Sequence, residues 1–272
     1  MSHVTSPDAV STAVDRLAQA QATRVPCAPV RDLIGTDDLA AAYAVQQALV
    51  QGRLAAGATV VGRKIGATSK AVQDQLGVDQ PDFGYLLDEM DVSDAAREGG
   101  ASISMRTLLQ PRVEAEVAFR LGRDIDVPED QITLDLVRDA VDVALPALEI
   151  VDSRIAEWQI GFTDTVADCA SSALFVVGTD AKPLTQVKPV DVVMSLTING
   201  EERSSGNGAA CLGDPLEALR WLAVQAARFG DPLRAGHLIL SGALGPFVPF
   251  APGDRVVASI SGFEPLSVEF EE

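Results

Sequence analysis

An apolar run that carries two carboxylates one residue apart constrains this chain more than any other feature: Val113-Glu114-Ala115-Glu116-Val117-Ala118-Phe119. In a strand, Glu114, Glu116 and Ala118 take one face, and Val113, Ala115, Val117 and Phe119 take the other. The second face demands a core. The first sets two carboxylates side by side, where mutual repulsion and desolvation both oppose ionisation. A divalent cation relieves both, and hard oxygen ligands suit Mg2+ or Mn2+. A third candidate ligand, Glu149, interrupts another apolar run, Pro146-Ala147-Leu148-Glu149-Ile150-Val151-Asp152. The plainer reading is that, in a chain with 39 acidic residues, Glu-x-Glu is the wet side of an edge strand. The apolar neighbours of Glu149 leave little room for such a solvated face.

The 272 residues are 47% hydrophobic, enough for a sizeable core. A net charge of -18 offers no basic surface to nucleic acid or to an anionic membrane. An anionic small substrate would need local attraction from a metal, lysine or arginine. No run is long enough to span a bilayer, and the first residues have neither a basic start nor an apolar signal core. With three scattered cysteines, Cys27, Cys169 and Cys211, the expectation is a reduced, cytoplasmic protein.

Residues 1–58 read as a helical N-terminal region. Ser6-Pro7 opens a helix with the stripe Val10, Ala13, Val14, Leu17 and Ala18, and Thr36-Asp37-Asp38 caps a second helix. Residues 59–272 read as β-rich. A strand ends at Gly66, Thr133 opens a helix with Leu134, Val137, Val141 and Ala144 on one side, and Asp214-Pro215 starts another that Gly230 stops. Asn199-Gly200 marks a hairpin, and alternation continues through residues 256–270. The expected class is α+β, a mixed β-rich roll or sandwich with a helical N-terminal part.

Familiar chemistries fall away. The histidines are His3 and His237, too few for a histidine zinc site, and His237 is better suited to a structural role than to a triad. Nucleotide-binding glycine motifs are absent. Carboxylates, lysine and a metal remain, a set suited to enolate chemistry on an oxo acid. Lys64 ends an apolar strand between Gly62 and Gly66, where a ligand can approach closely, although a surface lysine at a strand end has the same signature. Asp82, in Gln80-Pro81-Asp82-Phe83-Gly84, reads first as an aspartate serving its own turn. Asp164 reads as a helix cap and Ser171 as a core hydroxyl.

Taken together, these segments are more specific. The chain resembles the 2-keto-4-pentenoate hydratase group of the fumarylacetoacetate hydrolase superfamily. The resemblance rests on Gly62-Arg63-Lys64-Ile65-Gly66-Ala67-Thr68, Gly77-Val78-Asp79-Gln80-Pro81-Asp82-Phe83-Gly84 and Pro111-Arg112-Val113-Glu114-Ala115-Glu116. Further matching segments run from Pro146 to Arg154, Asp164 to Ser171 and Ser241 to Pro246. The resemblance implies metal ligands at Glu114, Glu116 and Glu149, Mg2+ or Mn2+ as cofactor, and an acid–base pair at Lys64 and Asp82. It implies a β-rich roll and a homo-oligomer, and makes association with neighbouring pathway enzymes an expectation. The reaction implied is hydration of 2-hydroxypenta-2,4-dienoate to 4-hydroxy-2-oxopentanoate in meta-cleavage degradation of aromatic compounds. Ser171 and Ser241 are candidates for hydrogen bonds to this small anionic substrate. A 2-oxo-3-hexenedioate (4-oxalocrotonate) decarboxylase resembles the same segments, but its second carboxylate would want a further cationic partner, and the sequence does not show whether any arginine reaches the pocket. A non-catalytic metal-binding subunit is the third reading, disfavoured by the intact Lys64, Asp82 and three glutamates.

Overall fold

A computed structural model describes residues 5–70, 73–74, 78–97 and 101–272; His3 and Gly77, both considered above, lie outside the described residues. Helix α1 (Pro7–Thr23) begins as the sequence predicts, with Ser6 accepting a hydrogen bond from the Ala9 amide. Its buried stripe is Ala13, Leu17 and Ala20. Ala18, expected on that stripe, is exposed, because the inward face follows the helical period from 17 to 20. A short helix α2 (Arg31–Ile34) precedes α3 (Leu39–Ala55), which Asp38 caps through the Ala41 amide at 3.0 Å. These helices bury Leu17, Ile34, Ala42 and Val45 against Ile155, Val166 and Ala167, a small core behind the loops that frame the site described below.

The strands follow as β1 (Val60–Gly66), β2 (Asp82–Leu87), β3 (Ile103–Ser104), β4 (Arg112–Leu121), β5 (Val141–Val151) and β6 (Ser172–Val177). After these come β7 (Val193–Ile198), β8 (Glu201–Asn207), β9 (Leu238–Ala243), β10 (Val248–Pro249), β11 (Arg255–Ile260) and β12 (Leu266–Glu271). One sheet has the order β2-β1-β9-β4-β5-β6, with β10 continuing the β9 side of β4. It is antiparallel except at β1–β9. The second has the order β3-β12-β11-β7-β8, and its β7–β8 hairpin turns at Asn199-Gly200, both at positive φ as such a turn requires.

The main core fills the space between the sheets. Val113, Ala115, Val117 and Phe119 of β4 meet Leu196, Val256, Ala258 and Val268, joined by Leu219 and Leu222 of the helix Pro215–Arg228. Each fully buried valine, leucine or phenylalanine among them contributes roughly 1.5–3 kcal/mol. The other face of the larger sheet curls on itself until its edges meet, where the Ser172 hydroxyl donates to the Tyr85 carbonyl at 3.4 Å. One end of that concave face is filled by Leu86, Ala118, Leu145, Phe175 and Leu240. The other end is charged.

Two local expectations change. The helix opened by Thr133, α4 (Leu134–Ala140), stops at Ala140, so Val141 and Ala144 belong to β5. Two β-branched valines and a proline within Val141–Pro146 favour an extended chain over a further helical turn. Asp82 starts β2 rather than serving a turn.

Candidate active site

Sheet register gathers the site. Glu114 lies directly opposite Glu149 across β4–β5, and Glu116 follows two residues on, hence on the same face. Carboxylate oxygens of the three lie within 4.8 Å of one another. Lys64 pairs with Leu240, which pairs with Ala118, so β1 presents its lysine to that same concave face. Gly66 pairs with Asp82, adding the fifth group. A side chain at Gly66 would strike Asp82 Oδ1 and approach Lys64 Nζ, so this glycine lets the acid and the amine share one spot. Glu116 and Glu149 are 0% exposed, and Lys64 and Asp82 are 2% exposed, which leaves no bulk water to screen them.

The carboxylates are poorly satisfied. Glu116 Oε2 accepts from the Gly242 amide at 2.7 Å, but Glu116 Oε1 and both oxygens of Glu149 have no hydrogen-bond partner among the described residues. Lys64 Nζ stands 3.1 Å from Glu149 Oε1, an ion pair out of line for a hydrogen bond. Gly242 has φ +111, and a side chain there would collide with Thr68, so glycine is needed to aim that amide at Glu116.

Protonation follows from this crowding. Burial, then the charge of Glu149, pushes the Glu114 carboxyl up to about 8. Burial with Glu149 and Glu114 raises Glu116 as well. Burial alone would lower Lys64, but Glu149, Asp82, Glu114 and Glu116 together outweigh it and hold the amine above the ordinary lysine value. Asp82 is raised by burial, an effect that Lys64 and the Thr165 hydroxyl oppose. Three buried carboxylates, with orphaned oxygens on Glu116 and Glu149, fit a hard divalent cation, whose charge would offset the crowding that raises Glu114 and Glu116.

Lys64, Asp82, Glu114 and Ser171 line one pocket with Gly66, Ala67, Val151, Trp158, Thr165, Ala170 and Phe247. Ser171 ends a run of left-handed residues, Cys169, Ala170 and Ser171, of which the last two form part of the wall. Ser241, expected to touch substrate, lies outside these walls: its hydroxyl donates to the Val117 carbonyl at 2.7 Å and ties β9 to β4. Asp164 is a cap, as read, accepting from the Gly161 amide at 2.8 Å, and it also pins the amides of Val30 and Arg31. His237 takes the Arg234 amide in a turn. Thr165 was missed. Its hydroxyl donates to Asp82 Oδ2 at 2.7 Å, a tie across 83 residues of chain with no local signature.

A family model for the fumarylacetoacetate hydrolase C-terminal domain matches residues 60–270. The chain belongs to the fumarylacetoacetate hydrolase family. Within it, the chain groups with proteins named as hydratases. It is 51% identical over 96% of its length to a "TodF product hydratase" of Pseudomonas putida, covering 95% of that protein. It is 48% identical over 98% of its length to a 2-keto-4-pentenoate hydratase of Paraburkholderia xenovorans, covering 96% of it. Among solved structures, 4-oxalocrotonate decarboxylase from Pseudomonas putida G7, complexed with magnesium and adipate, superposes with a TM-score of 0.89 at 30% identity. That likeness covers 97% of this chain and 98% of the decarboxylase.

Proposed function

We propose that this protein is a divalent-metal-dependent hydratase that adds water to 2-hydroxypenta-2,4-dienoate, giving 4-hydroxy-2-oxopentanoate. The observation that carries this reading is the convergence of Glu114, Glu116 and Glu149 with Lys64 and Asp82 on one concave face. The hydratase names of relatives at 48–51% identity over nearly the whole chain point the same way.

Glu114, Glu116 and Glu149 would hold Mg2+ or Mn2+, which supplies a charge centre for the substrate's carboxylate and C2 oxygen and stabilises negative charge on the latter. The remaining chemistry is proton movement. Loss of the C2 hydroxyl proton and protonation at C5 convert the dienol to an α,β-unsaturated ketone. Water then adds at C4, and the resulting enolate is protonated at C3. Lys64, held as an ammonium by its carboxylate neighbours, is the donor in this scheme. Asp82 is the acceptor, with Oδ2 fixed by Thr165 and Oδ1 beside Gly66 and the amine. Trp158 and Phe247 add aromatic surface to the lining of the pocket.

Ultraviolet loss of freshly generated 2-hydroxypenta-2,4-dienoate, followed with EDTA and with Mg2+ or Mn2+, tests the reading. Metal-dependent decay to a product heavier by one water supports it. Inert dienoate with CO2 release from 2-oxo-3-hexenedioate would move the assignment to a decarboxylase, a reading favoured by the structural likeness at a TM-score of 0.89. We extend the proposal to a cytoplasmic homo-oligomer working beside enzymes of aromatic breakdown. Among the described residues, no helix is long and apolar enough to cross a membrane.

A further inference from the structure

Arg112 is the cation that the proposed chemistry leaves unused. It occupies the next same-face position outward from Glu114 on β4, about 7 Å along the strand. Its direct partner on β5 is Val151, a wall of the pocket. Its guanidinium carbon lies 4.4 Å from the Trp158 ring centroid and 4.8 Å from that of Phe247, and both rings also line the pocket. Other sheltered arginines have carboxylates: Arg31 has Asp164, Arg63 has Asp231 and Arg154 has Asp168. Arg112 has none within ion-pair distance among the described residues. Ring faces hold a guanidinium in place without neutralising it, and leave its edge donors free for a planar, bidentate acceptor.

We propose that Arg112 is the specificity residue that holds the C1 carboxylate of a 2-oxo or 2-hydroxy acid. The inference rests on the hydratase reading only for the ligand class. In the proposed function the carboxylate end of the substrate lies at the centre formed by Glu114, Glu116 and Glu149, and Arg112 stands next to Glu114 on that face of β4. Three glutamates and one divalent cation leave the site negative before an anionic substrate arrives, and Lys64 is already engaged with Glu149. A second positive group is what an anion requires there.

The test uses the Mn2+-loaded protein and two probes, pyruvate and its neutral amide, titrated into wild type, Arg112→Ala and Arg112→Lys. The expected result is about a 10- to 100-fold loss of pyruvate affinity in Arg112→Ala, the range for losing a charge-assisted hydrogen bond. Pyruvamide and Mn2+ affinities should stay within about threefold, and Arg112→Lys should recover part of the loss. An unchanged preference of pyruvate over pyruvamide in Arg112→Ala, or equal weakening of both probes, would overturn the proposal. Arg112-dependent pyruvate binding without dienoate hydration would sink the hydratase reading and leave this one standing. Hydration with no effect of Arg112 on carboxylate preference would do the reverse.

Discussion

Two buried charge clusters share this fold, and they are built in opposite ways. Around Asp168, charge is saturated. Arg154 donates from Nε to Asp168 Oδ1, from Nη1 to the carbonyls of Asp152 and Ser172, and from Nη2 to the Asp168 carbonyl. Asp168 Oδ2 accepts from the Arg154 amide at 3.0 Å and the Ser153 hydroxyl at 3.2 Å. Around Glu149, three carboxylates share one lysine, and several oxygens have no partner among the described residues. A finished network locks the chain that leads into the left-handed wall of the pocket. An unfinished one is a receptor. Burial is common to both, so satisfaction rather than burial separates a structural ion pair from a binding centre.

The sharpest break in this contrast comes from Glu149→Gln or Glu116→Gln. Either should abolish tight Mn2+ binding and lower turnover by about 10³-fold or more, because a charge-stabilising centre worth several kcal/mol is lost. Glu116→Gln should also raise the melting temperature of the metal-free protein by relieving a crowded carboxyl, whereas Glu149→Gln should lower it by taking the ion-pair partner from Lys64. Lys64→Ala and Asp82→Ala should each cost at least about a hundredfold in turnover while Mn2+ remains bound, the range for one positioned acid or base. Near-native turnover in both would sink their roles.

Asp168→Ala should behave differently, losing about 3–5 kcal/mol of stability by stranding Arg154, as read by denaturant unfolding. The fraction that stays folded should keep its metal affinity. A pH series sharpens the comparison further. Glu114 binds its proton more tightly when folded, near 8 against an ordinary 4.5. Metal-free protein therefore gains stability from this group below about pH 4.5 and loses it as pH rises through about 8. The melting gap between Mg2+-loaded and EDTA-treated protein should widen from pH 5 to pH 8; a constant gap would contradict the shift. The smallest effect expected is from Thr165→Val. It removes the hydrogen bond that lowers the Asp82 pKa, so the acidic limb of the pH–rate profile should move upward with metal binding unchanged.

The fold and the shared face of Glu114 and Glu116 are legible in the sequence for a common reason, whereas the meeting of Glu149 with them rests on the β4–β5 register. Strand alternation is local, so the outward Glu114 and Glu116 and the inward Val113, Val117 and Phe119 follow from spacing alone. Caps at Ser6, Asp38, Thr133 and Asp214 are local as well, and each accepts the amide hydrogen bond that defines it. What stayed hidden depends on register between distant segments. Thr165 reaches Asp82, Gly242 reaches Glu116, and Arg112 reaches Trp158, and none of these pairs leaves a trace in its own neighbourhood. Ser241 was misleading for the same reason, because a hydroxyl at a strand end looks alike whether it faces a pocket or the next strand. The roles expected of Lys64 and Asp82 rest on the resemblance to a hydratase group, because composition offers none.

Mn2+ titration of metal-stripped protein, read by electron paramagnetic resonance beside Glu116→Gln, asks whether the unsatisfied carboxylates hold a metal. One tightly held Mn2+ per chain is expected in wild type and none in the variant. Equal binding by both proteins, or no binding by wild type, would contradict the assignment of the unsatisfied carboxylates as a metal centre.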